Sequence, residues 1–184
     1  PPDRPRPLAP SDIDLDGKVD ILQANFEAGD VSLFQEDSSG SYRERSPSPF
    51  VAQSGPTFLA VADVNKDLRP DLVVVNRLAR AISVFVSDAA LTLKPMPTLQ
   101  LARSPQAVAV ADYNGDTRPD LAVTSQVEDT VLIFSGGGNG NFTFARSVDV
   151  RSASQKSAEE KVGAFGVVAA DFNRDGRLDL FLAN

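Results

Sequence analysis

The sequence predicts an all-β fold, a partial β-propeller of about three and a half four-stranded blades. Two observations carry that prediction. One acidic motif recurs four times at nearly constant spacing, and short apolar segments of strand type flank every copy.

The four copies are "SDIDLDGKVDILQAN", "ADVNKDLRPDLVVVN", "ADYNGDTRPDLAVTS" and "ADFNRDGRLDLFLAN". Counted from the first aspartate, each has Asp at offset 0, Asp or Asn at 2, Asp at 4 and Asp at 8. The copies start at Asp12, Asp63, Asp112 and Asp171, which makes the periods 51, 49 and 59 residues. That length suits one supersecondary unit of several strands and is too short for an ordinary domain.

Before each acidic loop come segments such as "TFLAVADV", "AVAVADY" and "GVVAADF"; after it come "DILQAN", "DLVVVN", "DLAVTS" and "DLFLAN". They are short, rich in branched and aromatic residues, and bounded by turn residues, as strands are. "FLAVA" and "LVVV" are apolar on both faces, which predicts strands buried between two neighbouring sheets. A third strand follows at "VSLFQE", "AISVFVS" and "TVLIFSG", and a weaker fourth at "SYRER", around "LTLKPMP" and at "NFTFAR". A complete unit is therefore an antiparallel meander: strand, acidic loop, strand, turn, strand, turn, strand.

Residues 1–10 are expected to be a proline-rich linker or a degenerate first strand, because Pro7 and Pro10 fall where the innermost strand should lie. Residues 11–184 form the repeat region, with units at about 8–50, 51–100, 101–150 and 160–184. The longer third period is assigned to a loop inserted at 146–165, with a helical turn at "SAEEK".

Composition narrows the function classes. The net charge of −7 argues against nucleic acid as a partner, and no apolar run is long enough for direct membrane insertion. Over half of the 25 acidic residues lie in the four motifs, so the acidity is local. Histidine and cysteine are both absent, which removes the commonest general base and the soft metal ligands.

Carboxylates at alternate positions of a tight loop can converge on one hard cation. The expected ligands are Asp12, Asp14, Asp16 and Asp20; Asp63, Asn65, Asp67 and Asp71; Asp112, Asn114, Asp116 and Asp120; and Asp171, Asn173, Asp175 and Asp179. The backbone carbonyls of Lys18, Arg69, Arg118 and Arg177 would add a neutral oxygen at offset 6 while the basic side chains point to solvent. All-oxygen ligation selects calcium or magnesium over zinc or copper, and five or more protein oxygens in a flexible loop fit calcium better, up to four ions. An EF-hand is excluded, since its last acidic position holds Gln23, Val74, Val123 and Leu182. Gly17 and Gly176 at offset 5 permit a left-handed turn, whereas Leu68 and Thr117 predict weaker or differently turned second and third loops. The bland alternative is four solvated turns.

"SPQAVAVADYNGDTRPDLAVTS" followed by "TVLIFSGGGNGNFTFA" resembles the FG-GAP/VCBS repeats, the blades of integrin-α-like propellers. The resemblance implies an extracellular, cell-surface or periplasmic module for adhesion, ligand binding or scaffolding, with a protein or carbohydrate ligand. It also implies a ring of more blades than this chain supplies. Further blades or a partner subunit are therefore expected to cover open faces carrying Val167, Val168, Leu180 and Leu182. No enzymatic activity is expected. The alternatives are a structural accessory subunit of a membrane-associated assembly and a calcium-assisted polysaccharide lyase. The segment "GGGNGN" lacks the lysine of a phosphate loop and is a hairpin turn. Arg77 and Arg80 in "NRLARA" are candidates for a contact surface, against a default of solvated loop.

Overall fold

The computed structural model describes residues 7–46, 48–125, 128–150 and 166–183, with the backbone alone at 128–129. Among these residues there is no helix, and all sheet pairing is antiparallel. The first sheet runs β1 (Leu8–Ser11), β2 (Asp20–Asn25), β3 (Asp30–Glu36) and β4 (Tyr42–Glu44), with β5 (Phe50–Val51) also on β3. The second runs β6 (Pro56–Ala62), β7 (Asp71–Asn76) and β8 (Ala81–Val86), with β9 (Lys94–Pro95) and β10 (Leu99–Gln100) both on β8. The third is β11 (Pro105–Ala111), β12 (Asp120–Ser125), β13 (Glu128–Gly136) and β14 (Phe142–Asp149). The fourth holds β15 (Gly166–Ala170) and β16 (Asp179–Ala183). First strands of successive sheets pack side by side, β1 on β6, β6 on β11 and β11 on β15.

Face parity explains the doubly apolar strands. In β7, Leu72 and Val74 pack into the layer shared with the first sheet, and Val73 and Val75 into the layer shared with the third. In β12, Leu121 and Val123 face the second sheet while Ala122 faces the fourth. β7 and β12 are thus walls between two cores, and a one-residue slip would exchange their contents between them.

Prolines act where hydrogen bonds permit. Of the two expectations for residues 1–10, Leu8–Pro10 follow the strand: β1 forms despite its prolines, pairing Pro10 with Ile21. Ala24 N–H donates to Pro7 O at 3.1 Å, so the hydrogen-bonded positions are 7, 9 and 11. Pro10 then turns its nitrogen to the open edge, where no donor is needed. The outer strands of the first two sheets are each split in two, at residues 45–49 and 96–98, stretches that include Pro49 and Pro97. The third outer strand lacks proline and continues to Asp149, so 146–149 are strand and not inserted loop. The helical turn expected at "SAEEK" lies outside the described residues.

Gly136 ends β13 against the third acidic loop. A Cβ there would stand 1.9 Å from Pro119 O, so only glycine permits the approach that lets Gly136 N–H donate to Asp120 Oδ1 at 2.8 Å. Gly136→Ala is expected to destabilise the protein by roughly 3 kcal/mol or more, since a backbone carbonyl cannot swing aside as a side chain can. Chemical denaturation of the variant checks this, and a midpoint equal to that of the parent would contradict the clash.

Candidate functional site

The four acidic loops join the first and second strands of each sheet and so lie at the same end of the molecule. Each loop folds onto its own side chains. The carboxylate at offset 0 accepts N–H groups from offsets 4 and 5: Asp12 from Asp16 and Gly17, Asp63 from Asp67 and Leu68, Asp112 from Asp116 and Thr117, Asp171 from Asp175 and Gly176. The offset-2 oxygen of Asp14, Asn65, Asn114 or Asn173 accepts the same offset-4 N–H at 2.8–3.1 Å. The offset-4 carboxylate accepts the N–H of Lys18, Arg69, Arg118 or Arg177 at 2.8–2.9 Å. These amides hold the loop aspartates in one arc despite their like charge.

The offset-8 aspartate closes the loop from the second strand. Its Oδ2 accepts the offset-1 N–H in all four copies, at 3.3 Å for Asp20, 2.9 Å for Asp71, 3.1 Å for Asp120 and 3.2 Å for Asp179. In Asp71 and Asp120 the other oxygen accepts an N–H from the end of the third strand, Ser87 or Gly136 at 2.8 Å. Asp20, Asp71 and Asp120 are buried, and burial pushes the carboxyls of Asp20 and Asp71 above their ordinary range. At Asp112 burial acts the same way, but four backbone N–H donors outweigh it and hold that carboxyl below its ordinary range.

In the first loop, carboxylate oxygens of Asp12, Asp14 and Asp20 lie within 4.8 Å of one another. Three hard anionic oxygens at that separation fit a divalent cation such as calcium and repel one another without one. This loop alone has Asp at offset 2, and two residues answer the extra charge. Gln35 Nε2 donates to Asp14 Oδ2 at 2.6 Å and reaches Asp20 Oδ2 at 3.5 Å. Arg45 Nη1 lies 3.7 Å from Asp14 Oδ2 and donates to Gln35 Oε1 at 2.8 Å. Neither residue belongs to the motif. They arrive through pairing of β3 with β4, and nothing local in sequence marks them.

The turn chemistry differs from expectation. Leu68 and Thr117 adopt φ of 69° and 67°, so the second and third loops are turned like Gly17 and Gly176 at 87° and 82°. Offset 3 is left-handed as well, at Leu15, Lys66, Gly115 and Arg174. The hydrogen-bond frame imposes one backbone shape, and the second loop meets it with two non-glycine residues. Not every offset-6 side chain is solvated either: Lys18 Nζ donates to Glu36 O at 3.4 Å, and the Arg118 stem lies against Gly138. Lys66 Nζ donates to Thr117 Oγ1 at 3.2 Å, tying the second loop to the third.

Comparison with known proteins fits this repeat. The sequence matches the FG-GAP-like repeat over residues 12–74 and 112–182. The chain belongs to the FG-GAP-like repeat family. No curated protein matches it in sequence. Among solved structures, "Crystal structure of BBS1N in complex with ARL6DN, soaked with lead", of propeller type, is similar with a TM-score of 0.63 at 12% identity. That likeness covers 96% of this chain and 50% of the other. A functionally unknown protein from Desulfotomaculum acetoxidans DSM 771 is similar with a TM-score of 0.57 at 15% identity, over 90% of this chain and 53% of the other. This FG-GAP chain therefore spans about half the length of the structures it matches, and at such identities the likeness shows the fold alone.

Two substitutions test the backbone requirement. A Cβ on Gly17 would meet nothing within 4 Å, so Gly17→Ala probes conformation alone and should destabilise by about 1 kcal/mol. Leu68→Gly relieves the same strain and should stabilise by up to about 1 kcal/mol, less glycine's entropic penalty. Paired thermal melts check both signs, and two shifts of the same sign would contradict the shared turn.

Proposed function

We propose that the chain is a calcium-stabilised propeller module for binding, adhesion or scaffolding, acting at a cell surface, in a periplasm or outside the cell on a protein or carbohydrate ligand. The observation that carries this is the convergence of Asp12, Asp14 and Asp20 oxygens within 4.8 Å in a loop whose hydrogen-bond frame recurs in the other three. The ligands would be the offset 0, 2, 4 and 8 side chains with the offset-6 carbonyls. A bound cation would neutralise the buried offset-8 carboxylates and fix each loop against its sheet. Extracellular calcium modules bind at about 10⁻⁴–10⁻³ M, which suits calcium-rich compartments.

A covering neighbour for the fourth sheet is part of the same proposal. Phe181 occupies the position held by Leu22, Val73 and Ala122 in the other sheets. Those three are 0% exposed, packed towards the following sheet, whereas Phe181 is 65% exposed. Val168 and Phe172 beside it are 58% and 57% exposed, and the Phe172 and Phe181 rings lie 5.8 Å apart. Val167, Leu180 and Leu182 are not on this open face; they turn to the third sheet, because alternate residues take opposite faces. The outward face of the first sheet differs. Gln23 stands where Val74, Val123 and Leu182 stand in the others, and it hydrogen-bonds Asn25, which in turn bonds Asp30 and Ser32. The first sheet thus sets hydrogen-bonded polar side chains beside the exposed Leu8 on its outward face, whereas the fourth offers an aromatic and apolar face suited to a further blade or a partner subunit.

Calcium at tenfold over its dissociation constant adds about 1.4 kcal/mol per site, or roughly 5–6 kcal/mol for four independent sites. The melting temperature should therefore fall strongly in excess chelator and return with calcium, and a melt indifferent to both would overturn the metal reading. Phe181→Glu should abolish self-association of the isolated chain in light scattering. A parent chain already monodisperse at 19.6 kDa would argue against an unfinished face.

A further inference from the structure

We propose that the end of the molecule opposite the acidic loops carries a binding cleft for an acidic peptide segment of a partner protein. A cleft of about 440 Å³ there is lined by Phe26, Arg77, Leu78, Arg80 and Ser104. It adjoins a smaller one of about 160 Å³, which Arg80 and Ser104 share with Arg103. The lining residues, three arginines, one serine and two large apolar residues among them, come from the β2–β3 turn, the β7–β8 turn and the β10–β11 connection.

A second observation singles out Arg80. The β2–β3 turn "NFEAGD" and the β7–β8 turn "NRLARA" have the same length, and their fifth residues are both left-handed. The first turn uses Gly29 at φ 75°, the residue that this backbone favours; the second uses Arg80 at φ 53°. The strained arginine is held in place. Arg77 and Ala79 N–H groups donate to Gly55 O and Ser54 O, and Leu101 N–H and Gln100 Nε2 both donate to Arg80 O. Strain retained at the one arginine common to both clefts marks it as functional rather than as turn filler.

Guanidinium groups bind carboxylates in bidentate fashion, and Phe26 and Leu78 offer apolar contact beside them. That mixture suits a peptide with alternating acidic and apolar side chains. A sulfated glycan would present anions along an extended basic track, whereas these arginines lie about two adjoining clefts that meet at Arg80. The acidic loops sit at the far end, so they do not repel such a partner at close range.

The test uses a fluorescein-labelled peptide of alternating glutamate and leucine, titrated by anisotropy into the full-length protein with calcium present. Saturable binding is expected, at least tenfold weaker for the peptide with glutamine in place of glutamate. Arg80→Gly should weaken binding at least tenfold without lowering the melting temperature, because Gly29 already serves the same turn. Equal binding of the glutamine peptide, or undiminished binding by Arg80→Gly, would overturn the proposal. So would binding of heparin with no binding of the peptide.

Discussion

The buried carboxylate that opens each second strand is the constraint on which the rest of the repeat depends. Asp20, Asp71 and Asp120 are removed from water at the start of β2, β7 and β12; each accepts a backbone N–H through Oδ2, and Asp71 and Asp120 accept a second through Oδ1. Such a group is held in place because an unpaired backbone donor would be costly, yet its own charge is only partly compensated by amides. It fixes where the loop begins, where the second strand begins and, through Ser87 and Gly136, where the third strand ends. Asp179 is only half-buried, and the fourth sheet has no third strand among the described residues to supply that last donor. The proposed cation answers the residual charge of this group together with that of the loop aspartates.

From that anchor the packing follows by parity. Once the offset-8 aspartate is pinned, the next residues alternate between the two adjoining layers, so Leu72 and Val73 must serve different cores. A repeat built this way cannot satisfy itself, because each sheet offers one face forward and one back. The two terminal sheets treat this differently. Gln23, Asn25, Asp30 and Ser32 put a hydrogen-bonded polar group beside Leu8 on the first, while Val168, Phe172 and Phe181 leave the fourth apolar.

The two ends of the sheets are equally unlike. One end gathers the loop carboxylates, organised by left-handed residues at offsets 3 and 5. The other gathers Arg77, Arg80 and Arg103 about two adjoining clefts. The four loops, offsets 0 to 8, hold 13 aspartates against six basic residues, so the loop end by itself accounts for the net charge of −7.

The sequence by itself determined the repeat, the meander of strands, the position of the acidic loops and the two-sided burial of "LVVV", because spacing and alternation are local and periodic properties. It also marked the offset 0, 2, 4 and 8 side chains as one group, since a short loop brings them together whatever surrounds it. Only the tertiary structure decided which apolar residues of the last sheet look outward, because that depends on register against a neighbour; Phe181 and Leu182 are indistinguishable until β15 pairs with β16. It likewise decided that Pro10 could join a strand, that Leu68 and Thr117 would accept a glycine-like backbone, and that Gln35 and Arg45 would serve Asp14. Each of these is set by hydrogen bonds between residues distant in sequence, and such bonds can impose a conformation that local preference resists.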